Sequence, residues 1–507
     1  MHTLSVCLGT VLSLTLSTGA VVAAQSGTVA IVGGTLIDGH GGPPVEDAVV
    51  LVSGTRITAA GPRARVTIPP GAQVIDAKGR FIVPGLIDTN VHLSLYGGIG
   101  ERYETLVRYR SRQNEIVLEA SQIQLKHGVT TVRDSYGLLA PLTEVRDAIA
   151  ASRHAGSRVL AAGNIVGWGG PYSVSFSLIQ EKGLTLFQEQ MNDSITEGAG
   201  EELMVMGPAE LRKAINAYLD KGPDFLKYGG TSHFSQPTFI GFSPEAQRIL
   251  VEETHKRGRV AETHATTPEG LRLSLEAGID LVQHPEVLDN RELPDDLVRF
   301  MCEKKVIGSM LSNTITGDAW QKHLKSRDEA ARKHAEEDKA GKLPPRPRTS
   351  AEDRLRESEL GAGMEMRRKN AQKLIRAGCL VTVGTDNYWA AAPELTRTPK
   401  PEAQDHGIGT VIGIEGLVEL GMTPAQAIVA GTKNGALACK ASDFGTIEAG
   451  KLADLLVLAA DPLVDIKNLR TVVTVMKDGR VIDRDRLPEK RVLSRAPAGG
   501  SSSAQNP

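Results

Sequence analysis

The apolar residues of this chain fall into two kinds of pattern, and the change from one to the other divides the sequence. Between residues 25 and 80 they form short runs rich in β-branched residues: Thr28–Val32, Ala48–Val52, Arg56–Ala60 and Gln73–Asp76. Gly33-Gly34, Ser53-Gly54, Gly61-Pro62 and Gly79 punctuate them. Short runs between closely spaced turn residues predict an all-β unit. From residue 81 to about 440, short apolar runs alternate with longer helical segments. The runs are Phe81–Ile87, Gly128–Asp134, Ser157–Gly163, Asp224–Lys227, Val260–His264, Ile279–His284, Lys305–Met310 and Leu380–Asp386. The intervening helices are predicted at Arg102–His127, Pro141–Ala155, Pro208–Lys221, Ser243–Arg257, Thr267–Ala277, Asp295–Lys304 and Lys369–Ala377. This βα alternation predicts an α/β fold, and eight repeats of it predict a (β/α)8 barrel.

Three further stretches fall outside that alternation. Asn164–Gly198 reads as a long loop carrying Trp168, Tyr172 and Phe176 over the barrel mouth. Residues 320–368 are highly charged and broken by Pro344-Pro345-Arg346-Pro347, which predicts solvated helices on an excursion from the barrel. Residues 441–490 return to β-type runs with no core of their own, so they are expected to complete the first β unit. Residues 491–507 end in an Ala-, Gly- and Ser-rich stretch and read as a disordered tail.

Charge narrows the function. The formal net charge is -2 and aromatic residues make up 4% of the chain. Neither a cationic surface for phosphates nor a stacking platform for bases is available, which argues against a nucleic-acid partner. Leu4–Val22 is uncharged and leads to Val22-Ala23-Ala24, so residues 1–24 read as a signal peptide cleaved after Ala24. Periplasmic or secreted localisation, with no membrane contact after cleavage, follows as an expectation. Cys7 would leave with the leader. Cys302, Cys379 and Cys439 are widely spaced and are expected to be buried free thiols.

The polar residues that close the apolar runs carry the chemistry. Asn90 and His92 are two apart, so on a strand they share a face, with Asp88 in the same row. Lys227, His264, His284 and Asp386 close later runs. Side chains contributed one by one from successive strand ends describe the loop face of a barrel.

These residues carry a resemblance. Val83-Pro84-Gly85-Leu86-Ile87-Asp88, Gly128–Asp134, Lys227, His264, His284, Gly384-Thr385-Asp386 and Gly445–Asp454 make the chain resemble the amidohydrolase superfamily, in its imidazolonepropionase-like and secreted-dipeptidase (prolidase-like) branch. The resemblance implies a distorted (β/α)8 TIM barrel with a small β-sandwich built from both chain ends. It implies one or two divalent metals, zinc being the expected ion, held by His92, Lys227, His264, His284 and Asp386. It also implies that Lys227 is carbamylated, since a plain ammonium has no acceptor for a cation. The family has His where this chain has Asn90, and an amide oxygen is a weaker, neutral ligand that leaves one metal position in question. Asp386 is implied as the catalytic acid–base. Tyr172 and His233 are candidate substrate-binding residues. The implied activity is hydrolysis of a small-molecule amide: a dipeptide, an Xaa-Pro bond, an N-acyl amino acid or an ochratoxin-like amide. A lactonase or other C–N hydrolase on the same barrel, or a binding protein weakened by Asn90, stays open. So does a homo-oligomer.

Overall fold

The structure is a computed structural model that describes residues 27–96, 99–176, 183–233, 238–340, 362–396 and 400–495. The expected leader, the proline-rich break at 344–347 and the tail beyond 495 lie outside the described residues.

The first unit is one mixed sheet of eight strands. Its members are β1 (Thr28–Leu36), β2 (Val45–Ser53), β3 (Arg56–Pro62), β4 (Gln73–Asp76), β5 (Phe81–Pro84), β15 (Leu455–Leu458), β16 (Val472–Lys477) and β17 (Arg480–Val481). They run in the order β17-β16-β15-β5-β1-β2-β3, with β4 also on β1. Both chain ends contribute, as the β-type runs predicted. Period-two alternation splits the side chains between two faces. Val29, Ile31 and Val50 join Leu455 and Val457 on one face, while Ala30, Val32, Val49 and Leu51 lie on the other under Val66 and Ile68. The pairings give a single continuous sheet rather than two separately bonded layers.

One boundary differs from expectation. Phe81–Pro84 does not open the second unit. β5 pairs with β1 and β15, so this run belongs to the small sheet. Gly85 then redirects the chain into β6 (Leu86–Tyr96). A Cβ at Gly85 would lie 2.3 Å from Thr130 Oγ1, so only glycine fits where the chain leaves one sheet for the other.

The second unit holds two parallel arcs. One is β14-β6-β7-β8, with β7 at Val129–Asp134, β8 at Arg158–Ala161 and β14 at Asn387–Trp389. The other is β13-β12-β11-β10-β9, with β9 at Leu226–Gly229, β10 at Ala261–His264, β11 at Leu281–Gln283, β12 at Ile307–Met310 and β13 at Val381–Val383. All eight predicted positions are strands, and β14 is an addition. The arcs meet at two seams by isolated contacts. At one, Val166 bridges Tyr228 and Asp224 N–H donates to Ala161 O at 2.7 Å. At the other, Thr89 Oγ1 donates to Val383 O at 2.8 Å and Asp386 N–H to Asn90 O at 2.7 Å. Side chains also span the shared interior. Arg133 on β7 pairs with Glu262 on β10 at 2.5 Å, both essentially inaccessible, and its guanidinium lies 3.7 Å from the Phe225 ring centroid. Gln283 Nε2 donates to Glu262 Oε1 at 3.0 Å and to Thr89 O at 3.1 Å.

Helices pack outside these strands, and their ends obey local rules. Ser243 caps Pro244–Lys256 by accepting from Ala246 N–H at 3.1 Å, and Thr267 caps Pro268–Ala277 by accepting from Gly270 N–H at 3.1 Å. Proline occupies the first turn in both, where its missing N–H costs nothing. The predicted helix Arg102–His127 is two helices, Ile99–Tyr109 and Gln113–Lys126, separated by a tight turn at Arg110–Arg112. The loop Asn164–Gly198 contains a helix of its own, Leu186–Thr196, opened by a reciprocal Thr185–Gln188 cap. That Thr-x-x-Gln spacing was a readable start signal. The charged excursion supplies helices Gly317–Lys339 and Ala362–Arg376.

Two expectations are corrected. Cys302 and Cys379 form a disulfide across 77 residues, with Cα atoms 4.5 Å apart, so only Cys439 is a free thiol among the described residues. Helix Asp295–Lys304 and the residue ahead of β13 become neighbours only once β12 and β13 pair, which no spacing in the sequence announces. The tail is also ordered further than predicted. Val492 and Leu493 are buried, and Glu119 accepts from Leu493 N–H at 2.8 Å and from Ser494 N–H at 3.1 Å.

Candidate active site

The loop-side ends of β6, β9, β10 and β11, and the turn after β13, deliver the polar residues singled out above. Alternation along β6 turns Asp88, Asn90 and His92 to one side. Asp88 is fully buried and structural: it accepts from Asn90 N–H, Thr385 N–H, Thr385 Oγ1 and Thr410 Oγ1. Burial still raises its pKa to about 6 against those hydrogen bonds. It pins the turn that carries Asp386.

His92 and Asp386 are joined directly. His92 Nε2 lies 2.8 Å from Asp386 Oδ1, and Asn90 Nδ2 donates to the same oxygen at 3.0 Å. His92 Nδ1 lies 3.1 Å from Tyr136 O, which can only accept, so this nitrogen carries a proton. Burial favours a neutral Asp386, but the His92 hydrogen bond and the fields of His92, His284 and Lys227 hold its carboxyl well below the usual range.

The second cluster is aromatic. The His264 and His284 ring centroids are 4.6 Å apart, Trp168 lies 4.7 Å from His264, and His233 lies 5.1 Å from His264. His233 stacks on Phe176 at 5.0 Å, and Tyr136 closes on Phe176 at 5.3 Å. Burial lowers all three histidines: His284 to about 4, His233 to about 3, and His264 well below the usual range. They are therefore neutral rings with free electron pairs at neutral pH.

Lys227 lies in register with Glu262 on the neighbouring strand and is buried, and its ammonium makes no hydrogen bond or ion pair among the described residues. Burial lowers its pKa, opposed by Glu262, Asp386 and Asp134. The Asp386 carboxylate is felt at Lys227, His233, His264 and His284, which ties the two clusters electrostatically.

The donor chemistry suits a divalent cation. Among the described residues, Asn90 Oδ1, His264 Nε2 and His284 Nδ1 are buried without a hydrogen-bond partner, and all three can act as ligands. Among the described residues, however, no three His, Cys, Asp or Glu side chains form a ready-made chelating group. The expected cage stands as two half-sites, because Asp386 is drawn to His92 and Asn90 and Lys227 enters as a donor-only amine.

Of the proposed substrate contacts, His233 joins the aromatic cluster. Tyr172 is held through its backbone N–H to Asn192 Oδ1 at 2.9 Å. Sequence reasoning did not assign Tyr136, Asp134, Glu286 or Arg367 to the site. Tyr136 and Asp134 follow directly from the end of β7, a position that could have flagged them. Arg367 comes from the charged excursion, donates to Thr314 Oγ1 at 2.8 Å, and faces Glu286 and Asp386; nothing in its sequence surroundings marks it.

The Amidohydrolase family model matches residues 81–482. An ochratoxinase from Aspergillus niger is 24% identical over 469 residues, covering 89% of this chain and 86% of that protein. The solved structure of molinate hydrolase superposes with a TM-score of 0.81 at 32% identity, covering 94% of this chain and 99% of the other. That of phenylurea hydrolase B gives 0.80 at 30%, covering 93% and 100%. The chain belongs to the amidohydrolase family and is an enzyme, a hydrolase of carbon–nitrogen bonds.

Proposed function

We propose that the two parallel arcs are the halves of a distorted (β/α)8 barrel, closed at its seams by the isolated contacts described above and capped by the small sheet as its β-sandwich partner. At the loop end of this barrel, the enzyme hydrolyses an amide-type bond in a small molecule carrying an apolar or aromatic group. One observation carries this reading: His92, Lys227, His264, His284 and Asp386 arrive from five separate strand ends in two electrostatically coupled clusters beside an aromatic wall.

His264, His284, His92 and Asp386 would hold the metal, with Asn90 Oδ1 as a weak additional ligand. The metal, with zinc as the expected ion, would polarise the carbonyl and acidify water. Lys227 would join the ligand set as a carbamate. Its burial favours the neutral amine, and only the neutral amine adds to carbon dioxide. Asp386 takes the proton of the attacking water and returns it to the departing nitrogen. His92 steadies Asp386, and the Tyr136 carbonyl fixes the His92 ring by holding its Nδ1 proton. Trp168, Phe176, Tyr136 and His233 form the wall against which an apolar substituent packs.

The names of the two structures at 30% identity or above favour compact substrates with apolar substituents over free dipeptides. The Cys302–Cys379 disulfide supports an oxidising compartment, in keeping with a periplasmic or secreted enzyme. Among the described residues no helix is long and apolar enough to cross a membrane. The test is a panel of phenylureas, N-aryl amides, N-acyl amino acids, Xaa-Pro dipeptides and lactones, assayed with and without chelator. Chelator-sensitive turnover of the urea or amide members is the expected result. Turnover of lactones alone, or none at all, would overturn the reading.

A further inference from the structure

A cavity of about 400 Å³ lies against β14; none of His92, Lys227, His264, His284 or Asp386 lines it, although its Lys400 and His406 feel the charges of Asp386 and His92. It is within the range that holds small organic ligands. Its floor is Tyr388–Trp389 on β14, its walls include Ile123 and Ile408, and the C-terminal residues Pro488 and Leu493 close it. Those C-terminal residues are fixed there by the Glu119 hydrogen bonds to Leu493 and Ser494, so the wall is part of the folded chain.

The charges around this space are unbalanced. Lys126, Lys400, Arg491 and Arg495 line it, against one acidic residue, Asp405. None of the four cations is within ion-pair distance of a carboxylate among the described residues. Lys126 donates to Leu487 O, Arg495 to Thr396 O, and Arg491 to Ser494 Oγ and Arg495 O. Lys400 donates to Tyr388 O, and its ammonium sits 4.4 Å from the Tyr388 ring centroid. Elsewhere on this chain, exposed Arg and Lys mostly meet acids, as Arg291 meets Glu269 and Arg272 meets Asp296.

His406 supplies an independent sign of a ligand. It lines the cavity and is 4% exposed. The Gln124 amide nitrogen is assigned 3.3 Å from His406 Nδ1 and can only donate, so Nδ1 accepts and Nε2 carries the ring proton. That Nε2 is buried and has no partner among the described residues. A buried N–H without an acceptor is costly, and an anion in the cavity would satisfy it.

We propose that this cavity is a second binding site, for a small organic anion with an apolar or aromatic body, such as an arene carboxylate. The carboxylate meets Lys400, Arg491 and the His406 N–H, and the body packs on Trp389, Ile123 and Leu493.

The test is a titration of the full chain with benzoate, followed by calorimetry after chelator treatment so that no metal at the candidate active site contributes. Benzyl alcohol serves as the uncharged control. One benzoate per chain should bind with a millimolar or tighter Kd. Lys400→Met and Arg491→Gln should each weaken it by about tenfold, the loss of one charge-assisted hydrogen bond. Benzyl alcohol should not compete. Arg491 is exposed, so its variant is expected to fold even if Lys400→Met does not; circular dichroism establishes that. Absence of saturable benzoate binding, equal binding of benzyl alcohol, or unchanged affinity in folded Arg491→Gln would each overturn the proposal.

Discussion

His92 Nε2 and Asp386 Oδ1 face each other at 2.8 Å, although the Tyr136 carbonyl already fixes the ring proton on Nδ1. Two acceptors at that distance need a shared cation, a proton or a metal ion, between them. The pair therefore marks where positive charge belongs in this molecule, and in the proposed mechanism Asp386 is the group that would exchange protons with a substrate.

Replacing Asp386 with Asn keeps the shape and the Asn90 contact but removes the base. Turnover is expected to fall by about 10²–10⁴-fold, the usual worth of a positioned acid–base group, with the thermal midpoint little changed. Steady-state kinetics beside a melting curve checks this; near-normal kcat would remove Asp386 from the mechanism.

Asn90 presents a neutral oxygen where an imidazole would bind metal more tightly. Elemental analysis of the purified enzyme should give fewer than two divalent ions per chain, and Asn90→His should raise that number. Two tightly held ions in the wild-type chain would show that the amide coordinates well.

The Arg133–Glu262 pair crosses the interior with both groups inaccessible. Removing one partner strands the other charge, so Arg133→Met is expected to cost ~3–5 kcal/mol. Pairing it with Glu262→Gln should recover part of that loss. Chemical denaturation of the two variants measures the difference.

The Cys302–Cys379 bridge closes a loop of 77 residues. Loop-closure entropy assigns such a bridge a stabilisation of ~4 kcal/mol, so Cys302→Ser, or reduction, should lower the unfolding midpoint clearly. A thiol titration that finds three reactive cysteines in the unfolded, leaderless chain without reductant would contradict the bridge itself.

Acid should destabilise the metal-free protein in a defined window. His284 and His127 are lowered to about 4 and His233 to about 3, with His264 and His406 also held well below the usual range, all chiefly by burial. Unfolded histidines take up protons below about 6.5 that the folded ones refuse, so stability is present above that pH and is lost as pH falls toward 4. Asp134 and Asp88, raised by burial to about 7 and 6, act in the opposite sense over part of this range. Burial raises Glu286 and Asp405 as well, and the five histidines outweigh these four carboxyls, so the net slope of stability with pH is positive between about 4 and 6. Denaturation midpoints at intervals across that range give the sign.

The eight strand positions were legible because burial leaves an apolar imprint at a fixed period, and the residues closing those runs stood out as polar interruptions. What stayed hidden depends on geometry the period does not encode. His284 and Asp386 both take left-handed backbone, at φ 37° and 56°, which turns their side chains at the ends of strands too short to reveal it. Phe81–Pro84 reads as continuous with β6, yet Gly85 breaks it, because the run is equally apolar on both sides of the break. Arg367 reaches Thr314 from a helix whose charged neighbours mask it. Trp168 and Phe176 were visible on their loop, but only the folded chain shows them against His264 and His233.

Because one uninterrupted segment supplies β5 to the small sheet and then, past Gly85, β6 with Asn90 and His92, the small sheet cannot be exchanged as an independent module. Any graft that displaces Phe81–Pro84 would displace Asn90 and His92 with it.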